Sequence, residues 1–171
     1  MQRAVVVSHS LGSAYASYLL KQKPHLLKAL TLIDPVAAMM HHPKIVGAFV
    51  YKPVTSPLVA VEEYFVRREL FVANVIARHL HWHEAALWPT SFNAKTPTLI
   101  VLSEEDAIVP SAQVQRSVRS LAARARGVRV LTLPGFRHGG WIASADASRL
   151  IGERVKRQYA APSRIQSAPE R

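Results

Sequence analysis

The chain has no cysteine, which excludes disulfides and leaves its redox compartment open. It has no apolar segment near the roughly 18 uninterrupted residues of a membrane-spanning helix. The apolar run after Arg3 is too short for the core of a signal peptide. Acidic residues are scarce: 11 Asp+Glu stand against 22 Lys+Arg, a net charge of +11. The arginines are spread out, at Arg116, Arg119, Arg124, Arg126 and Arg129, then Arg149, Arg154 and Arg157 with Lys156. The excess reads as a solvated basic face. No aromatic-rich RNA motif or zinc-finger spacing accompanies it, so no nucleic-acid partner is expected. There are no internal repeats. What remains is 171 residues, 49% of them hydrophobic, with a mean hydropathy of +0.07. That is one domain by length, with enough apolar side chains for a core.

Residues 4–12, Ala-Val-Val-Val-Ser-His-Ser-Leu-Gly, are the most informative stretch. A short apolar run stops at a serine flanked by small residues, and a helix-forming segment follows at once. This is the layout of a nucleophile elbow, a sharp strand-to-helix turn that exposes a serine hydroxyl. The common pattern is G-x-S-x-G. Here Ser8-His9-Ser10-Leu11-Gly12 has serine at the first position. Small residues suit both ends because strand and helix approach closely there.

Residues 3–8 read as a buried strand, since a continuous valine run suits a parallel sheet covered on both faces. Residues 11–22 read as a helix, with Leu11, Ala14, Tyr15, Tyr18 and Leu19 at helical spacing. Further strands are expected at 28–33, 97–102 and 128–133. A basic helix is expected at 111–126 and a final helix at 141–158. Residues 36–93 contain no clear strand and read as a helical cap over the C-terminal edge of the sheet, where open α/β folds bind ligands. Tyr64, Phe65, Phe71, Val75, Trp82, Leu87 and Trp88 supply its helical spacing. Residues 160–171 read as a disordered tail. The fold class is therefore α/β: a parallel sheet of about four strands with flanking helices and a helical cap insertion.

A serine hydroxyl needs a base to take its proton, and the base needs a third group to orient it. Asp106 follows the third strand and His138 follows the fourth, so with Ser10 all three lie beyond strand C-terminal ends on one sheet edge. Asp34, at the end of the second strand, is an alternative acid. His79 and His83 stand four apart, but no third ligand has metal-site spacing except Glu84 and H-E-x-x-H is absent, so no metal site is assigned.

The order Ser10, Asp106, His138 resembles that of the α/β-hydrolase family, and the resemblance covers residues 3–158. It is to the C-terminal portion of that fold, so residues 1–159 read as a partial α/β-hydrolase domain. The family's acid loop commonly has two residues between Asp and Pro; here Asp106 and Pro110 are separated by three. The resemblance implies a serine hydrolase, esterase- or lipase-like, with Ser10 as nucleophile, His138 as base, Asp106 as acid and the Leu11 N–H in the oxyanion hole. It implies no dissociable cofactor and a small-molecule ester or acyl substrate; the aromatic cap favours an apolar acyl group.

A second oxyanion donor normally comes from a loop after an earlier strand, and no strand precedes residue 3 here. The nucleophile strand would then be an exposed apolar edge. Two readings stay open. The sequence is a portion of a longer hydrolase, with Met1 an internal methionine; or it is a short protein that forms a homodimer through the open edge, or an inactive interaction protein.

Overall fold

The computed structural model describes residues 3–49, 51, 53–125 and 127–160. Four parallel strands form one sheet in the order β1-β2-β3-β4: β1 (Ala4–His9), β2 (Leu27–Ile33), β3 (Thr98–Ser103) and β4 (Val128–Leu133). Each parallel connection needs a crossover, and helices supply them. α1 (Gly12–Gln22) follows β1, and α6 (Ser111–Ala125) follows β3. Between β2 and β3 run four short helices, α2 (Pro43–Phe49), α3 (Pro57–Glu62), α4 (Leu70–Asn74) and α5 (Trp82–Ala85). α7 (Ala145–Ala160) closes the described chain. The tail expected at 160–171 lies, beyond Ala160, outside the described residues.

The two central strands are buried almost throughout, as their continuous apolar runs require. Leu30, Leu32, Ile100 and Leu102 point to one face, where they pack with Ala16 and Leu20 of α1, Val114 and Val118 of α6, and Ala37, Leu87 and Phe92 of the connecting segment. Each fully buried leucine or isoleucine contributes roughly 1.5–3 kcal/mol. The opposite face carries a smaller core of Ile33, Leu99, Val101 and Leu133, covered by Ile151, Leu150 and Val155 of α7 and by Trp141. Among the described residues, α7 is the one long helix on that face.

β1 is not the buried strand its valine run suggests but the exposed edge expected where no earlier strand is present. It is an edge strand, and Val7 is 50% exposed. Val6 packs into the larger core, so the alternation of a strand turns Val5 and Val7 to the other face. There α7 packs on β2, and nothing described pairs with the outer side of β1.

Between Val36 and Ser91 the described residues form a series of short helical segments, and their aromatic stripe does not form a core. Tyr64 is 73% exposed, Phe65 68% and Phe71 79%; of the seven residues at helical spacing only Leu87 is buried. The physical reason is local. π-Helical turns at Glu63–Arg67 and Val75–His79 add a residue per turn and break the 3.6-residue register that would align the side chains.

Candidate active site

The parallel sheet brings the C-terminal ends of all four strands to one edge, and the candidate residues lie just beyond it. The Ser10 amide donates to Ile33 O at 3.0 Å, carrying the ladder one step past β1. The chain then reverses. Ser10 adopts φ +52°, a left-handed conformation uncommon for serine, and Leu11 is already helical at φ −62°, ψ −25°. Ser13 fastens the turn, its amide and hydroxyl donating to Ser10 O at 3.0 and 2.6 Å. A Cβ at Gly12 would meet Ser8 Cβ at 3.7 Å, an ordinary contact. The elbow therefore favours small residues at both ends without demanding glycine at either. Serine at position 8 has its own cost, since its buried Oγ has no partner among the described residues.

Asp106 is buried. Its Oδ1 accepts the Ile108 and Val109 amides at 2.7 and 2.8 Å. The three residues before Pro110 thus wrap into a turn around the carboxylate. Asp106 Oδ2 lies 2.7 Å from His138 Nδ1, and His138 Nε2 lies 2.8 Å from Ser10 Oγ. The carboxylate fixes the tautomer: Nδ1–H donates to Asp106, which leaves Nε2 free to accept from the serine. The expected residues Ser10, Asp106 and His138 are therefore joined by one chain of hydrogen bonds. Lys44 of α2 donates to the Asp106 carbonyl at 2.7 Å, a contact to the acid loop that the sequence did not suggest.

Asp34, the alternative acid, is elsewhere engaged. It is fully buried at φ +43° and accepts from the Ser103 amide, the Ser103 hydroxyl and the Gly139 amide at 2.7, 3.0 and 3.0 Å. Its carboxylate is not hydrogen-bonded to the His138 ring. His79 and His83 do not share a helix: the backbone is extended at Leu80, and α5 begins at Trp82. His81, His83 and Glu84 instead bring one ligand atom each within 4.8 Å of one another, all exposed.

This geometry stands beside that of solved structures. A serine hydrolase from the polyaromatic-hydrocarbon-degrading bacterium Cycloclasticus zankles superimposes with a TM-score of 0.67 at 12% identity, over 94% of this chain and 66% of that one. The chain has the α/β-hydrolase fold. An α/β-hydrolase enzyme from the metagenome of lagoon sediments at Mar Chica, Morocco, matches with a TM-score of 0.63 and 15% identity over 92% of this chain and 63% of that one. The 2-hydroxy-6-oxo-6-phenylhexa-2,4-dienoate hydrolase of Rhodococcus sp. strain RHA1 matches with a TM-score of 0.62 and 16% identity over 94% and 65%. The chain spans about two thirds of the length of these α/β hydrolases. No family model matches the sequence, and no curated protein does.

Within this α/β-hydrolase fold one further residue adjoins the hydrogen-bonded chain. His9 lies between the two elbow serines, in the motif itself, yet its position there carried no sequence signal of a role. Its ring centroid is 5.2 Å from that of His138 and 5.7 Å from Trp141, and its Nε2 is 3.9 Å from Asp34 Oδ2. Burial holds its imidazole below the usual histidine range and neighbouring His138 adds to this, while Asp34 and Asp106 pull the other way. A histidine lowered in the folded state takes up its proton more readily when unfolded. Stability is then lost as pH falls below the ordinary value of about 6.5 and through the lower folded value. Melting temperature measured from about pH 8 to about pH 5 should therefore fall less steeply in His9→Gln than in the native chain; parallel curves would refute this.

Proposed function

We propose that this chain carries the reactive centre of a serine hydrolase, esterase- or lipase-like, acting on an ester or related acyl bond. The observation that carries the reading is the continuous contact from Asp106 through His138 to Ser10, at 2.7 and 2.8 Å, on a serine held at positive φ. His138 Nε2 takes the serine proton as Ser10 Oγ attacks the acyl carbon. Asp106 orients the ring and stabilises the imidazolium. His138 then gives the proton to the leaving group, and a water, deprotonated by the same nitrogen, releases the acyl group. The Leu11 amide, from which nothing accepts among the described residues, holds part of the oxyanion charge. A second donor is proposed from a segment beyond these residues, since a missing donor lowers the rate by about 10²–10³. The apolar side chains of the cap favour an apolar acyl group.

The test is labelling by an alkyl fluorophosphonate. The folded chain, or a longer form containing it, is expected to take the label, and Ser10→Ala to take none. A folded long form that stays unlabelled would sink the reading.

A second reading, association through the open edge, has its own observation. Leu11, and Tyr15 and Tyr18 of α1, are exposed by 38%, 75% and 57%; α1 packs on β1, whose outer side is unpaired among the described residues and whose Val7 is half exposed. An unpaired apolar edge is a template for another strand, and a homodimer through it is the proposed form. In sedimentation equilibrium the native chain is expected to associate with rising concentration and Val7→Lys to remain monomeric. A native chain that is monomeric throughout would exclude it.

A further inference from the structure

Asp34 is fully buried, 0% exposed, yet lies outside the hydrogen-bonded chain from Ser10 to Asp106. It accepts three hydrogen bonds, and every one of its partners is a donor. Two of those bonds tie the end of β2 to Ser103 at the end of β3. The third comes from Gly139, the residue directly after His138. One carboxylate oxygen of Asp34, one of Asp106 and one ring nitrogen of His138 lie within 4.8 Å of one another, so the imidazole stands between two aspartates that hold it differently. Asp106 binds the ring; Asp34 binds the backbone that carries the ring.

We propose that Asp34 is a positioning residue for the base, fixing the His138–Gly139 turn so that Nε2 stays on Ser10 Oγ. The proposal rests on the hydrolase reading of Ser10 and His138. The turn needs an external anchor. Gly139 takes φ +69°, and β4 ends at Leu133; the Gly135 amide on Glu104 Oε2 and the Glu105 amide on Phe136 O hold the start of the loop, but not the His138–Gly139 turn. The turn's own bond, Gly140 N to Arg137 O at 2.9 Å, closes it locally but does not tie it to the sheet. Asp34 does, because the strand that carries Asp34 also pairs with the strand that carries Ser10. Nucleophile and base are thereby referred to the same strand, β2: Ser10 by its amide on Ile33 O, and His138 through Gly139 on Asp34. The His9 ring, which a Cβ on Gly139 would meet at 3.4 Å, fills the space beneath the turn.

Substitution separates this from a plain strand tie. Asn at 34 keeps the shape; with its oxygen at the Oδ1 position it retains the buried Ser103 amide, and its NH2 can donate to the Ser103 hydroxyl, which leaves the Gly139 N–H facing an NH2. Ser103→Ala removes one of the ties to β3 and leaves the Gly139 bond. In Asp34→Asn the maximal rate of fluorophosphonate labelling is expected to fall about tenfold or more, with apparent affinity for the reagent unchanged within about twofold; Ser103→Ala should stay within about twofold of native on both. A folded Asp34→Asn that labels at the native rate overturns the proposal, as does an equal loss in Ser103→Ala. Amide exchange supplies a readout that needs no turnover and no variant. In the native chain Gly139 N–H should exchange at least about tenfold more slowly than an unstructured amide, and exchange at the unprotected rate overturns the proposal even if Asp34→Asn fails to fold. A folded long form that protects Gly139, and loses that protection in Asp34→Asn, but takes no label supports the tie while sinking the hydrolase reading.

Discussion

Asp106→Asn is expected to slow fluorophosphonate labelling of Ser10 by about 10⁴-fold while leaving the chain folded. The size follows from which atoms the amide can satisfy. Oδ1 of Asp106 accepts two backbone amides, from Ile108 and Val109, and only an oxygen can stand there. An asparagine therefore keeps its oxygen in that place and turns its NH2 to His138 Nδ1. The ring must then accept at Nδ1 and carry its proton on Nε2, facing Ser10 Oγ. The lone pair that would take the serine proton is gone, although no atom has moved far. The opposite rotamer would set NH2 against two N–H groups at a cost of about 1–3 kcal/mol for each buried group left unpaired, so it is disfavoured. Imidazole nitrogen NMR reads the tautomer directly. A labelling rate within about tenfold of native, with His138 still protonated on Nδ1, would refute the argument.

Ser10→Gly and Ser10→Ala are both expected to abolish labelling, and they should differ in stability in an unusual direction. Glycine is ordinarily the more destabilising residue because the unfolded chain gains freedom. At φ +52° the order reverses. Alanine retains the strain of a Cβ in the left-handed region, and glycine relieves it, so Ser10→Gly should exceed Ser10→Ala by about 1 kcal/mol. That corresponds to a melting temperature roughly 2–4 °C higher for a chain of this size. Both variants lack the hydroxyl that His138 meets, so the comparison isolates the backbone term. Equal melting temperatures would mean that the turn stores no strain in the folded chain.

How much of this was legible beforehand differs from residue to residue. The strand–turn–helix around Ser10 was readable because a valine run, small flanking residues and an immediate helical period are all local signals. Asp106 and His138 were readable because each follows an apolar strand within five residues, and a parallel sheet aligns such ends. β1 was read from its valine run as a buried strand and, with no earlier strand, as an exposed apolar edge; the edge reading holds, because burial at both edges depends on neighbours, while a valine run reports only an apolar strand. The helical spacing of the stripe at 59–88 is interrupted for a different reason. Periodicity presumes an unbroken α-helix, and the π-turns at Glu63–Arg67 and Val75–His79 shift the register. His79 and His83 were separated by the same kind of local break, at Leu80.

Local pattern thus determined a good deal by itself: the α/β alternation, the elbow and the three residues that meet beyond the strand ends. Short-range sterics and hydrophobic period act within a few residues, so they leave their mark in the chain directly. Tertiary structure alone decided the division of labour between the two aspartates. Asp34 and Asp106 both follow strands, and in the sequence only the family's residue order favoured Asp106 as the acid. The difference arises because β3 lies between β2 and β4, which turns Ser103 and Gly139 onto Asp34 and leaves Asp106 Oδ2 for the imidazole. Hydrogen-bond partners 69 and 105 residues apart in the chain are set by strand order and loop closure, and no local property of either residue encodes them.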